Sequence, residues 1–166
     1  MSDLNTDYQL RSAIESAVVS YFAAQAITAV SRINAPANFQ QKTPRVEIKA
    51  IIGGATGRRH ICPADGVLRF DAWTFSLQIQ TVCRPNNDPT QNNLVELFNG
   101  NVRSIISNFG GPESFIDTTN FPNHYIAEPL KDSGSADTLK TDNGEEFTIL
   151  SYAGIICIRH AAWPTS

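Results

Sequence analysis

Two histidine–cysteine pairs are the residues of this sequence that could hold a soft metal ion. His60 and Cys62 lie two positions apart, and Cys157 and His160 lie three apart. A structural zinc site needs four such ligands that converge. The second pair falls in a predicted strand, where residues three apart face opposite sides of the sheet and cannot reach one ion. We therefore expect no metal, a buried thiol at Cys157 and a partly exposed imidazole at His160.

A phosphate-binding loop and an activated nucleophile are the other kinds of site that we looked for. Residues 53–59 read Gly-Gly-Ala-Thr-Gly-Arg-Arg, but no Gly-Lys-Ser or Gly-Lys-Thr ending follows and no helix pattern starts there. No Gly-x-Ser-x-Gly elbow occurs, and the neighbouring carboxylates Glu145 and Glu146 would face opposite sides of a strand. We expect no enzyme and no cofactor; a small-ligand-binding α+β protein or enzyme is the alternative.

The composition is that of one folded domain with few charges. The chain has 166 residues, 42% of them hydrophobic, which excludes intrinsic disorder and suits a single domain spanning 1–166. A formal charge of -3 is far from the basic footprint of a nucleic-acid-binding protein. Only 17% of the residues are charged, below the roughly 25% of typical soluble domains. Such a surface can be buried against a partner at modest desolvation cost.

The sequence also indicates the cellular compartment in which the protein is made. The first thirty residues carry Asp3, Asp7, Arg11 and Glu15 and therefore lack the charged-then-apolar pattern of a secretory signal, and no apolar run approaches the roughly 18 residues that a membrane span needs. We expect a protein that is made in the cytosol and has no membrane partner. Its three cysteines, Cys62, Cys83 and Cys157, are then expected to stay reduced and to form no disulfide.

Hydrophobic periodicity predicts a helix and two strands in the first half of the chain. The helix begins at Thr6 with a capping-box spacing, carries an apolar stripe that includes Ile14, and ends before Pro36. The first strand covers 45–52 and ends at Gly53-Gly54. The second strand ends at Arg84-Pro85 and alternates apolar residues with the neutral polar residues Thr74, Ser76, Gln78 and Gln80.

The second half of the chain predicts one more helix and two more strands. Asp88 and Pro89 begin the helix, and Gly110 to Pro112 end it. Strands are expected at 124–129 and at 147–163, the latter apolar enough to lie inside a sheet. The order α-β-β-α-β-β predicts an α+β domain with a mostly antiparallel sheet and both helices on one face.

Charge is unevenly distributed along the chain. Residues 42–69 hold six basic and two acidic residues, whereas residues 113–146 hold eight acidic and two basic ones. Opposite charges on two parts of one domain suit a head-to-tail contact between copies. Two ordinary solvated loops are the alternative explanation.

The order of these elements and their local sequences resemble those of the tail terminator proteins of long-tailed bacteriophages. The resemblance rests on Tyr21-Phe22 in the first helix, the strand 44–52, the long strand 69–85, Val102-Arg103 in the second helix, and the connection and strand of 133–158. Related neck and head-tail joining proteins are more loosely similar. The likeness spans nearly the whole chain, although the loop 53–66 is longer than is usual for the family.

The resemblance implies a structural virion protein with no chemistry to perform. Such a protein forms a ring, commonly of six copies, that caps the tail tube, ends tube polymerisation and joins the tail to the head or neck. Its partners would be further copies of itself, the tail tube protein and neck or connector proteins. DNA would pass through the ring without sequence-specific binding. The protein would be made in the host cytoplasm and end in the virion; another neck or head completion protein is the nearest alternative.

Two extended loops, 53–66 and 131–146, are the expected places of contact with a neighbour. We expect Arg58 and Arg59 to meet acidic groups there, and the segment 131–146 to be an arm that orders only on contact. The candidate contact residues are Arg58, Arg59, His60, Asp132, Ser133, Ser135, Asp137, Lys140 and Asp142.

Overall fold

Two helices and ten strands make up the part of the chain that the computed structural model describes. That part comprises residues 4–35, 43–55, 59–61, 68–70, 72–84, 94–110, 115–117, 119, 121–126, 128–135, 139–140 and 144–158. In chain order the elements are α1 (Leu4–Ala24), β1 (Ala29–Ser31), β2 (Arg45–Ala55), β3 (Arg59–Ile61), β4 (Leu68–Phe70), β5 (Ala72–Cys83), α2 (Leu94–Ile106), β6 (Phe115–Asp117), β7 (Phe121–Ile126), β8 (Lys131–Ser135), β9 (Leu139–Lys140) and β10 (Glu146–Ile158).

The strands form one large mixed sheet and one small one. The large sheet has the order β1-β2-β5-β10-β7-β6, and β8 and β9 also pair with β10. The pair β1–β2 is parallel, and the other pairs are antiparallel. The strands β3 and β4 form a separate antiparallel ribbon. Together with the helices they make a single domain of mixed α and β structure.

Helix α1 follows its predicted stripe. Leu10, Ile14, Val18 and Phe22 recur every four residues, and all four are buried because residues at that spacing share one face of a helix. The helix begins at Leu4, two residues before the predicted cap. It ends in a Schellman motif, in which Ala26 takes a φ of 61° and the N–H of Ile27 bonds to the carbonyl of Phe22 at 3.0 Å.

Helix α2 packs on the sheet through apolar residues and one polar contact. Val95, Val102 and Ile106 are buried. Asn99 accepts a hydrogen bond from the hydroxyl of Thr81 and donates one to the hydroxyl of Thr148 at 3.0 Å. Those two threonines are direct cross-strand neighbours on β5 and β10. The predicted start of this helix at Asp88-Pro89 lies outside the described residues.

Helix α2 ends at Ile106, four residues before the predicted end at Gly110, and a tighter turn follows in which the N–H of Phe109 bonds to the carbonyl of Ile106 at 3.0 Å. Gly110 has a φ of 114°, which is a left-handed conformation that glycine adopts without strain. A Cβ there would also come within 2.5 Å of the carbonyl oxygen of Glu128. Glycine is therefore required at this position both by the backbone angle and by the close approach of another segment.

The hydrophobic core joins the two helices to the centre of the large sheet. Its sheet residues include Val46, Ile48 and Ala50 of β2, Phe75, Leu77 and Ile79 of β5, and Leu150, Tyr152 and Ile156 of β10. On β5 the alternation is as predicted, since Phe75, Leu77 and Ile79 are buried while Thr74 and Ser76 are exposed. One face of the sheet thus provides the core, and the other is more exposed.

Several predicted element boundaries differ from the structure. Strand β2 does not end at Gly53-Gly54; it continues to Ala55 with a shift of register after Ile52, because pairing with β5 outweighs the weak strand propensity of glycine. The stretch 53–66 contains β3, and the stretch 131–146 contains β8 and β9, which pair with β10. Six short strands, β1, β3, β4, β6, β8 and β9, are missing from the predicted order.

Candidate assembly surface

The sheet face that faces away from the core has a neutral polar centre. In register across β2, β5 and β10, Lys49, Gln78 and Ser151 form one row, and Ile51, Ser76 and Ala153 form the next. We call this side of β2, β5 and β10 the outer face. Only Lys49 is charged among these six residues. A partner could cover most of this area without desolvating a charge, which is the most expensive kind of burial.

A chain of ion pairs crosses one end of the outer face. Glu47 binds Arg32 Nη1 through Oε1 at 2.5 Å and Arg45 Nε through Oε2 at 3.0 Å. Glu145 in turn lies 3.8 Å from Arg45 and 3.1 Å from Arg84. The side chains of Arg45 and Glu47 are only 5% and 4% exposed. Their charges are therefore tightly coupled, because water screens them little.

This network was not predicted, although the sequence contains a signal for it. Arg45 and Glu47 are two residues apart in a predicted strand, and residues at that spacing lie on the same side of the sheet. An oppositely charged pair at that spacing can bond directly. The contributions of Glu145 and Arg84 come from the pairing of β10 with β5, which local spacing does not reveal.

A shallow depression lies beside the network. Its volume is about 170 Å³, and its lining residues are Arg32, Glu47, Lys49, Gln78, Gln80 and Ile149. Pockets for drug-sized ligands typically have about 300–1,000 Å³. The depression is thus suited to a single small polar group, such as one side chain of a partner, rather than to a substrate-sized molecule.

The predicted contact residues of β8 lie on the surface. All five residues of the strand, including Asp132, Ser133 and Ser135, are exposed. Asp132 accepts a hydrogen bond from the N–H of Gly134 at 2.8 Å, and its other oxygen lies 3.8 Å from Arg103. Burial raises the pKa of Tyr152, the register partner of Asp132, and the Asp132 carboxylate adds to that rise.

The remaining predicted contact residues are described only in part. The backbones of Arg59 and His60 belong to β3, and that of Lys140 belongs to β9. Arg58, Asp137 and Asp142 lie outside the described residues. The two predicted contact regions belong to different sheets, since β3 pairs with β4 and β8 pairs with β10.

The two described cysteines are far apart. Cys83 is the register partner of Glu146, whereas Cys157 pairs with Ala72, so about 11 residues of β10, roughly 35 Å, separate them. Both are buried thiols. Burial, and then the carboxylate of Glu146, raise the pKa of Cys83 from 9.0 to about 11, which keeps this thiol protonated and unreactive at neutral pH.

The described residues also bear on metal binding and on membrane spans. Within the described ranges, no group of three or more His, Cys, Asp and Glu side chains is placed to hold a metal ion. Cys62 and His160, two of the four candidate ligands, lie outside those ranges. The helices of the described part are too short or too polar to cross a membrane.

A buried carboxylate on α1 is a further polar residue that the sequence pattern did not single out. Glu15 is fully buried and accepts three hydrogen bonds, from Ser31 Oγ at 2.7 Å, Ala50 N at 3.0 Å and Ile33 N at 3.1 Å. Nearby, Arg11 Nε donates to the carbonyl of Ala50 at 2.7 Å. Strand β1 pairs with β2 only as far as Ile48. Two side chains of α1 therefore take the place of a strand at Ala50, where β1 has ended.

Comparison with known proteins yields a likeness of fold. No protein-family model and no curated protein matches the sequence. Several solved structures match, and one of them is similar with a TM-score of 0.52; that match covers 90% of this chain and 96% of the other at 11% sequence identity. At that identity the similarity concerns the fold alone.

Proposed function

We propose that this protein is a structural virion protein that caps the tail tube of a long-tailed bacteriophage as an oligomeric ring. The ring, of about six copies in the family that the sequence resembles, would end tube polymerisation and join the tail to the head or neck. It performs no catalysis and carries no cofactor. Its partners are its own copies, the tail tube protein and the neck or connector proteins, and DNA passes through it without sequence-specific contacts.

The observation that carries this proposal is the neutral centre of the outer face. Gln78, Ser76, Ser151 and Ala153 lie together across β5 and β10 with no charged residue among them. A subunit contact needs an area that is polar enough to stay soluble in the free protein and cheap enough to desolvate on assembly. The outer face meets both requirements.

In this proposal both helices cover the opposite face of the sheet and leave the outer face for contacts. One contact of each helix with the sheet supports this placement of the helices. Asn99 of α2 bonds to Thr81, which by alternation lies on the same side of β5 as the buried Leu77. From α1, Ile14 packs in the same core cluster as Leu77.

The ribbon β3–β4 is a second contact in the proposal. It holds Arg59 and His60, and Arg69 lies opposite His60 on β4. Arg58 and Arg59 would meet acidic groups of a neighbouring subunit or a neck protein. Reversal of both charges should then block assembly and leave the thermal unfolding of the single subunit nearly unchanged.

The test of the proposed function combines a mass measurement with a genetic one. Purified protein should form a closed ring of several copies, visible in negative-stain images and in native mass spectra. Phage that lack the protein should produce tail tubes of uncontrolled length. A stable monomer whose melting temperature rises with a small ligand would refute the proposal, and tails of normal length on heads that lose DNA would instead indicate a head completion protein.

A further inference from the structure

The large sheet carries two different exposed polar sites on its two faces. The depression lies on the outer face and reaches from Lys49 of β2 to Ile149 of β10, whereas Asp132 of β8 is the register partner of the core residue Tyr152 and pairs with Arg103 of α2, which places it on the helix side. Strands β5 and β10 separate β2 from β8, a distance of about 14 Å at the usual strand spacing. Patches on different faces of one subunit can meet in a head-to-tail contact, and repetition of that contact closes into a ring when the rotation allows it.

We propose that the depression of one copy receives the carboxylate of Asp132 from the β8 strand of the next copy. This inference rests on the proposed ring and names the residues of its repeated contact. The occupant is thus a second copy of this chain, bound through a single acidic side chain that is flanked by the hydroxyls of Ser133 and Ser135.

The charges of the depression favour a carboxylate. The one acidic residue in its lining, Glu47, already binds Arg32 and the buried Arg45. Lys49 is exposed, and no carboxylate of the described residues lies within ion-pair distance of it. Gln78 contributes an amide that can donate a further hydrogen bond. An incoming carboxylate would meet a cation and a donor without displacing an existing partner.

Asp132 is able to change partners at little cost. Its side chain is 50% exposed, and Arg103, its ion-pair partner at 3.8 Å, is 43% exposed. Exposed pairs of this kind contribute little to stability. The stretch 128–142 holds four acidic and two basic residues, so its net charge also attracts a basic surface over a longer range.

The volume of the depression limits what can enter it. A space of about 170 Å³ is enough for the end of one acidic side chain. A nucleic acid strand would instead need a continuous basic groove with aromatic platforms for its bases, whereas the outer face beside the depression holds the mutually paired Arg45 and Glu47 on one side and the uncharged Ser76, Ser151 and Ala153 on the other. The size and the charge distribution together favour one protein carboxylate.

A charge-swap cycle on the intact protein tests this contact. The probe is the protein itself, and its self-association is measured by sedimentation velocity over a range of concentrations. Lys49→Glu and Asp132→Lys should each weaken self-association about tenfold or more, because each places like charges opposite one another. The double variant should regain most of the lost affinity. Glu96→Lys, an exposed change on α2, is the matched control and should have no such effect.

The outcomes separate this inference from the proposed function. Rings that form normally in Lys49→Glu and Asp132→Lys would overturn the inference and leave the ring intact, and so would a double variant that fails to recover. A wild-type protein that stays monomeric would overturn both. If a single variant unfolds, Lys49→Gln and Asp132→Asn replace it, and weaker association of each is expected. Loss of oligonucleotide binding in Lys49→Glu with normal self-association would assign the depression to a nucleic acid and overturn the inference.

Discussion

Replacement of Glu15 by glutamine tests whether α1 holds the edge of the sheet. The buried carboxylate of Glu15 accepts hydrogen bonds from Ser31, Ile33 and Ala50. Glutamine has the same shape, but an NH₂ group replaces one acceptor oxygen and then faces another donor. One or two buried N–H or O–H groups lose their partner as a result. Each such loss costs about 1–3 kcal/mol, so we expect Glu15→Gln to lower the free energy of unfolding by about 2–4 kcal/mol.

Urea denaturation at pH 7 and low protein concentration measures this loss without a contribution from self-association. For a domain of this size, about 2–4 kcal/mol corresponds to a fall in Tm of roughly 5–12 °C. Amide hydrogen exchange gives a local readout, because the N–H of Ala50 should exchange faster in the variant than in the wild-type protein. Glu15→Ala leaves all three donors without an acceptor and should cost more than Glu15→Gln.

Glu96→Gln is the matched control for the same chemical change at an exposed site of a helix. Glu96 lies in the first turn of α2, where a negative charge interacts favourably with the helix dipole by about 0.3–1 kcal/mol. The reasoning fails if Glu15→Gln is no more destabilising than Glu96→Gln. Unchanged exchange at Ala50 would also contradict it, because the hydrogen bond from that N–H is the one that replaces strand pairing.

Three further predictions concern stability and reactivity. Gly154→Ala should destabilise the protein by about 2–3 kcal/mol, because the new Cβ would come within 2.6 Å of Leu130 Cδ2. Gly100→Ala lies at an open position of a helix and should instead stabilise the protein by about 1 kcal/mol. Urea denaturation of both variants measures the two changes. Ala26→Gly should stabilise by about 1 kcal/mol, since the φ of 61° strains alanine and not glycine; an unchanged Tm would contradict this. Because the pKa of Cys83 is about 11 in the folded state, the thiol ionises first in the unfolded chain. The free energy of unfolding should therefore be unaffected by Cys83 below pH 9 and fall between pH 9 and 11. The free energy of unfolding of Cys83→Ala, measured in the same urea titration, should fall less over that range.

The strongly periodic parts of the fold were predictable from the sequence. The stripe of α1 and the alternation of β5 depend on which side of an element each residue occupies, and that follows from spacing alone. The turn at Gly110 that follows α2 was predictable for a related reason, because few residues other than glycine adopt its backbone angle, although the helix itself ends four residues earlier.

Partners brought from distant parts of the chain were not predictable. The segment 131–146 has a composition typical of turns, but the unpaired side of β10 offers it backbone partners, and residues 131–135 and 139–140 become strands. Strand propensity depends strongly on such context. Glu15 stands among the apolar residues of a helix with no local sign that it meets Ser31 and Ala50. Of the two sides of the proposed contact, Asp132 was named from the sequence and is exposed in the structure, whereas Arg32 and Lys49 were not named as contact residues.

The position of β10 within the sheet has a consequence for the order of folding. It is the last described strand, yet β5 pairs with it along twelve of its residues on one side, and β7, β8 and β9 pair with it on the other. During synthesis, β5 and the segments that follow α2 must therefore wait for residues 146–158 to leave the ribosome before the sheet can close. Until then the edge of β5 that pairs with β10 has no hydrogen-bond partner. Folding of the nascent chain therefore depends on slow pairing between distant segments. A chain that ends before residue 146 would lack the strand on which both halves of the sheet align.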